Sequence, residues 1–346
     1  MKNMRFVILG HLMKREDLKM FFPLGRYLPL KLMEGVTSLL PAKKSFSPVS
    51  HFKIFDKAEG WIVGLALTPK QMMNLPKEKV REKILQAVLF SQEKLGAEIL
   101  MLGALTAPLT SAGKWLVENP EVKLSINTGN TYTVAISIEA AEKAAGLAGL
   151  NISKVEIAIV GAAGVIGEAI TKYFNQKNVN LILVERSEEK FERLKPVLRG
   201  KRYKLTCNLK EIINADIVIT ATCHPEALIR PEFLKKNAIV IDVAEPSDVP
   251  SNIEEVRPDV ISIDGGRVKW KNIDVGMNLG VPKNVGFACM TDVILQSLEE
   301  RRENYVGSVN LNHVKETIEW GKKHALTLAD FTCFNKTIPL EKFKRI

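Results

Sequence analysis

Cysteine is scarce: four residues in 346, at positions 207, 223, 289 and 333, with no pair at CxxC spacing and no histidine at ligand spacing beside them. That distribution excludes a zinc ribbon and a disulfide framework, and it fits thiols kept reduced. No metal site is expected. Long apolar runs are missing as well. The opening MKNMRFVILGHLMKRED offers five apolar residues before charges resume, and no 18-residue apolar stretch follows. Neither a signal peptide nor a spanning helix is expected, and the reading is a cytoplasmic protein. There is no low-complexity block and no long-period repeat, while 46% hydrophobic and 25% charged residues suit a folded globular chain. At this length two domains and a tail are expected.

Acids are few where the sequence opens. Residues 1–57 hold eleven Lys/Arg and four Asp/Glu, which is +7 of the total of +10. The excess threads through FFPLGRYLPLKLMEGVTSLLPAKK, where Phe21, Phe22, Leu24, Tyr27, Leu28, Leu30, Leu32 and Met33 alternate with Arg26, Lys31, Lys43 and Lys44. Such a stretch is either a solvated face over ordinary core residues or a contact for an acidic protein or a membrane surface. Nucleic acid is not an expected partner, because no aromatic-basic motif or helix-turn-helix pattern accompanies the charge.

What is present is an α/β rhythm. Up to about residue 150 the short strands RFVILG, WIVGLAL and AEILMLGAL alternate with a helix from about Lys77 to Leu95. Val80, Ile84, Leu85 and Val88 mark its buried face, with Lys79, Glu82 and Lys83 turned away. A second, alanine-rich helix from about Thr131 to Ala148 ends in GLAGLNIS, which reads as a linker. From Val155 the strands VEIAIV, NLILVE, ADIVIT, AIVIDVA and DVISIDG are separated by helices, one of them running through about Leu194 and expected to end at Pro196. Strands this apolar are covered on both faces, so a doubly wound parallel sheet is expected. The expected division is 1–148, a smaller α/β substrate domain; 149–284, a Rossmann dinucleotide-binding domain; and 285–346, C-terminal helices.

VEIAIVGAAGVIGEAITKYF carries the strongest chemical signal. Gly161, Gly164 and Gly167 form GxxGxxG directly after a strand and at the opening of a helix, where backbone must approach a pyrophosphate and the helix N-terminus can hold its charge. Ala162, Ala163, Val165 and Ile166 complete that turn. The next strand ends in Glu185, Arg186 and Ser187, about 20 residues on, where an acid accepts the ribose hydroxyls of NAD and a cation holds the 2′-phosphate of NADP. An arginine one step past the strand can swing over the adenine and meet the phosphate, which favours NADPH over NADH. Ala221 and Thr222, after the strand ADIVIT, are expected to line the nicotinamide. The following Cys223 and His224 are neighbours in an extended segment and point to opposite sides, so they are not a natural nucleophile and base.

GFACMTDVIL places Cys289 near the start of a helix, where a thiol meets the positive end of the dipole and the thiolate is favoured. A lone cysteine is also a common packing residue. TGNTYT at 128–133 puts hydroxyl and amide side chains at another helix start, which suits capping and equally suits holding a carbonyl oxygen or phosphate.

Taken in order, ILGHL at 8–12, TGNTYT at 128–133, GAAGVIG at 161–167, Glu185-Arg186, VIDV near Asp242, DGGRV at 264–268, GFACMTDVIL and KKHAL at 322–326 resemble the cyanobacterial long-chain fatty acyl-(acyl carrier protein) reductase family. The resemblance implies NADPH-dependent reduction of an acyl thioester, carried by acyl carrier protein or CoA, to a fatty aldehyde. Cys289 is then the nucleophile that takes the acyl group, and His11, Thr128, Gly129, Asn130 and Tyr132 are substrate contacts. The chain departs from the family pattern in having Tyr132 for a histidine, Ala163 and Val165 for a threonine and an aspartate, and Glu185 for a small residue. The cofactor half also resembles shikimate dehydrogenases and glutamyl-tRNA reductases. The former need no covalent cysteine; the latter use an N-terminal one, and none occurs here before Cys207. A non-catalytic NAD(P)-binding sensor is the remaining alternative.

Overall fold

The computed structural model describes residues 3–12, 17, 27, 29–224 and 226–344. Most of the segment 21–28, including Arg26, lies outside the described residues. Among those described, no helix is long and apolar enough to cross a membrane.

Among the described residues, eleven strands build the two larger sheets. They are β1 (Met4–His11), β2 (Phe46–Ile54), β3 (Ala58–Leu65), β4 (Ile99–Leu102), β5 (Ser125–Asn127), β6 (Glu156–Val160), β7 (Asn180–Val184), β8 (Tyr203–Thr206), β9 (Ile217–Thr220), β10 (Ile239–Asp242) and β11 (Ile261–Asp264). The chain divides into two compact units. One comprises 1–129, 272–280 and 289–307, and the other 130–271, 281–288 and 308–346. The join therefore falls at 129/130 and not at 148. The helix Asn130–Leu147 belongs wholly to the second unit, and its buried residues, from Thr131 to Ala145, cover most of its circumference. GLAGLNIS starts as the last two residues of that helix and continues as a loop inside the unit. The C-terminal residues 285–346 are not a separate body either, because the two units share them.

In the first unit the order is β2-β3-β1-β4-β5. β3, β1, β4 and β5 run parallel, and β2 returns antiparallel along the edge with a register irregularity between Pro48 and Ser50. A proline in a sheet belongs at an edge or a bulge, as here. Val7, Leu9, Val63, Leu100 and Ile126 pack with Val80, Ile84, Leu85 and Val88 of the helix Lys77–Glu93, the face expected from its period. Lys83 does not turn away. It is 1% exposed, and its ammonium donates to the Leu40 carbonyl and the Ser45 hydroxyl, each at 2.5 Å. Burial lowers its pKa, with Lys79 adding to the effect. A lysine stem is apolar enough for a helix face once its amine finds acceptors. The far edge, β5, is covered from later in the chain: Tyr305 bridges Asn127, and its amide donates to the Ile126 carbonyl at 2.8 Å.

The second unit holds a fully parallel sheet in the order β11-β10-β9-β6-β7-β8, with consecutive strands moving outward in both directions from β6. This is the doubly wound arrangement, and its crevice lies at the carboxyl ends of β6 and β9, where the order reverses. Between β7 and β8 the chain makes only a short 3-10 turn, Glu188–Arg193, in place of the expected helix.

Candidate functional site

The glycine turn lies at the carboxyl end of β6, in the switch-point crevice. Gly161 has φ +81°, a value that L side chains rarely adopt, and a Cβ there would stand 2.8 Å from the Ala221 carbonyl oxygen. The Gly161 amide donates to the Val184 carbonyl at 3.0 Å, which ties the turn to the end of β7. Gly164 caps the helix Val165–Gln176, and Gly167 has no space for a Cβ against the Gly161 carbonyl. The turn is thus a shallow backbone cradle at the positive end of a twelve-residue helix, with Ala162 and Ala163 buried beneath it. Those features fit a pyrophosphate, since side chains at these glycines would fill the approach.

The flanks fit the rest of a dinucleotide. Glu185, one residue beyond β7, is buried, with Arg186 exposed and Ser187 half-buried after it. A cleft of about 470 Å³ opens between Asn208-Leu209-Lys210, after β8, and a stretch after β9 that includes His224, Leu228 and Phe233. Its lining mixes apolar and polar side chains and includes none of the glycine-turn residues. Beside the turn, Ala221 donates its amide to the Val160 carbonyl at 2.9 Å and the Thr222 hydroxyl donates to Asp248 at 2.7 Å. Cys223 is exposed, and the His224 ring pairs with the backbone at Glu226, so the two share no hydrogen bond.

Asp248 escaped the sequence reading. Its side chain is fully buried, Oδ1 accepts from Thr222, and Oδ2 has no hydrogen-bond partner among the described residues. Burial, with the neighbouring Asp242 carboxylate adding to it, pushes the Asp248 carboxyl up to about 6. Asp242 is the contrasting acid, accepting from the hydroxyls of Thr220 and Ser247 and from backbone amides. A carboxyl whose folded pKa lies above its unfolded value contributes stability that is complete below about pH 4 and is lost as pH rises through about 6. Asp248→Asn is therefore expected to flatten this part of the profile. Denaturant melts at pH 4.5 and 7.5 are expected to show the variant gaining on the wild type by on the order of 2 kcal/mol. Equal pH slopes for the two proteins would contradict the assignment.

In the first unit a second cluster forms at the carboxyl ends of β1, β4 and β5. Cys289 is the second residue of the helix Ala288–Leu298 and is half-buried as a thiol. It lies directly against Gly129: a Cβ on that glycine, whose φ is +71°, would come 2.6 Å from the Cys289 Cβ and 2.8 Å from the Met101 methyl. The Gly129 amide donates to Asn127 Oδ1. Asn127 in turn donates through Nδ2 to Gln296 at 2.8 Å and to Asp292 at 3.4 Å, both farther along the Cys289 helix. This fully buried amide-carboxylate set fixes the Gly129 turn to the helix that presents the thiol. Thr128 fastens the same turn through its hydroxyl and amide, both donating to the Tyr305 carbonyl at 3.1 Å.

Of the other expected contacts, Asn130 is half-buried at the start of its helix. His11 ends β1 and is buried; its Nε2 accepts from the Leu105 amide at 3.4 Å, so Nδ1 carries the proton and donates to the Leu12 carbonyl at 3.0 Å. Burial lowers its pKa, which suits that neutral form. Tyr132 faces elsewhere: its phenol donates to the Leu326 carbonyl and packs on Gly321 within the second unit. The structure brings Cys289, Gly129 and Thr128 together and leaves Tyr132 out.

Residues 139–265 match the family model for shikimate/quinate 5-dehydrogenase. The long-chain acyl-[acyl-carrier-protein] reductase of Synechococcus elongatus is 28% identical over 238 residues, 64% of this chain and 68% of that protein. The aminotransferase PigE of a Serratia species is 26% identical, covering 71% of this chain and 30% of that one. The glutamyl-tRNA reductase of Methanocaldococcus jannaschii is 29% identical, covering 65% and 56%. The chain thus spans about a third to a half of the length of the latter two. All three matches take in more of this chain than the dehydrogenase model does, which stops before Cys289.

Proposed function

We propose that this chain is a nicotinamide-dependent oxidoreductase that reduces a long-chain acyl thioester to an aldehyde through an acyl group held on Cys289. The observation that carries the reading is the seat of that thiol. It stands in the first turn of a helix at the carboxyl end of a parallel sheet, against a glycine that leaves no side chain over it. The Cys289 thiolate attacks the thioester carbonyl, the new carbon–sulfur bond forms, and the carrier thiolate leaves and takes up a proton. The glycine turn would hold a reduced nicotinamide dinucleotide, which would supply a hydride to the thioester carbon; Cys289 would carry the resulting tetrahedral oxyanion and be restored as thiolate when its carbon–sulfur bond breaks and the aldehyde leaves. Thiol-to-thiol acyl transfer is nearly isoenergetic, so the helix terminus suffices as activation.

The partner is an acyl carrier protein or CoA. Exposed Lys31, Lys43 and Lys44 beside exposed Leu32 and Leu39 suit an acidic carrier bearing an acyl chain, as does the reductase resemblance. A dehydrogenase acting on a small carbonyl is the second reading, favoured by the shikimate/quinate match over the cofactor half. Intact mass after mixing with a long-chain acyl thioester, without reductant, separates them. One acyl adduct mapped to Cys289 and discharged as aldehyde on adding NADH or NADPH is expected. A protein that binds nucleotide, forms no adduct and oxidises a small hydroxy acid after Cys289→Ser would be the dehydrogenase.

A further inference from the structure

We infer that the chain takes NADH in preference to NADPH and that Glu185 decides it, an inference that rests on the dinucleotide reading of the glycine turn. From the sequence, Arg186 favours NADPH. The geometry favours its neighbour. The Glu185 carboxylate is turned back onto the glycine turn, where Oε1 accepts from the Ala163 amide at 2.7 Å. Its Oε2 meets the Lys190 ammonium at 3.1 Å and the Arg186 amide at 3.3 Å. The side chain is 3% exposed, so the acid is held by the fold and cannot swing away without leaving the Ala163 amide unsatisfied.

The position, just past the end of β7 and next to the turn that ends β6, is the one from which an acid meets the adenosine ribose. A carboxylate oxygen accepts two hydrogen bonds, and Oε1 receives one from the protein, which leaves room for a ribose hydroxyl to donate. A 2′-phosphate brings only acceptors and negative charge to the same place. Two cations could answer it. Arg186 is exposed and makes no side-chain hydrogen bond or ion pair among the described residues, and an exposed pair contributes little. Lys190 is already committed to Glu185, and drawing it to a phosphate strips a buried carboxylate of its ion pair. The buried acid therefore outweighs the exposed arginine.

Calorimetric titration of the full chain with NADH and with NADPH tests this. NADH is expected to bind at least about tenfold more tightly. Glu185→Gln keeps an acceptor for Ala163 and removes the charge; Glu185→Ala removes both. In either variant the gap is expected to close, chiefly by tighter NADPH binding. Wild-type protein that binds NADPH as well as or better than NADH would overturn the inference and leave the cofactor reading standing. So would a Glu185→Gln variant that weakens both cofactors equally, the mark of a purely structural acid. Folded wild-type protein that binds neither would overturn the cofactor reading and the inference together.

Discussion

Gly129→Ala is expected to slow acylation of Cys289 by about a hundredfold and to cost about 2–5 kcal/mol of stability. Two separate costs meet at this residue. The backbone sits at φ +71°, where any side chain is strained, and the added methyl would lie 2.6 Å from the Cys289 Cβ and 2.8 Å from its Cα. The second contact is backbone, so relief comes only by moving the start of the helix Ala288–Leu298. Asn127, Asp292 and Gln296 resist that movement, because they bind the turn to the same helix. The rate of adduct formation, followed by quenched mass spectrometry, reads the displacement, and denaturant melts read the strain. Gly146→Ala is the control: it lies in the last turn of the helix Asn130–Leu147 with nothing within 4 Å of a Cβ, and it is expected to be neutral or slightly stabilising. Acylation at the wild-type rate in Gly129→Ala would show that the thiol does not depend on this seat.

Gly167→Ala is expected to abolish nucleotide binding in the other unit. Its Cβ would collide with the Gly161 carbonyl and stand 2.9 Å from the Gly161 carbonyl carbon and 3.0 Å from the Ala162 Cα. Every one of these atoms is backbone, so no rotamer change makes space. The helix Val165–Gln176 must back away from the turn, and the amides of its first turn, proposed to meet a pyrophosphate, go with it. Losing one or two charge-assisted hydrogen bonds amounts to about 3 kcal/mol, or more than a hundredfold in affinity. Gly164→Ala meets only the Gly161 carbonyl oxygen at 3.1 Å and is expected to be milder. Titration with NADH ranks the two, and equal affinities for Gly167→Ala and wild type would remove the turn from the cofactor site.

Where a strand is covered on both faces, its sequence announces it. β6, β7, β9, β10 and β11 are apolar runs, and the glycine spacing after β6 places the turn. β2 and β8 are partly exposed edge strands, with Ser, His and Lys interleaved, and no run marks them. Lys83 reads as a solvated residue because its acceptors, Leu40 and Ser45, are about 40 positions away. Cys289 was legible from its place before an apolar helix. Its supports were not, since Asn127 lies 165 and 169 residues from Asp292 and Gln296. The one local hint was two polar residues, at three and seven positions after the cysteine, on an otherwise apolar helical face. Glu185 stands out in the sequence as a candidate cofactor residue, but its burial and its bond to Ala163 decide how it is weighed, and neither is local.

The closure of β5 by Tyr305 also bears on how the protein is made. Ile126 waits for Asn304 and Tyr305, and Asn304 follows it by 178 residues. On a ribosome moving at about 5–20 residues per second, that edge stays open for roughly 10 to 35 s. During that interval the nascent first unit presents an unpaired strand edge, while the whole second sheet emerges behind it. Chaperone occupancy on stalled nascent chains is accordingly expected to persist past residue 264 and to fall only after residue 307 has cleared the exit tunnel.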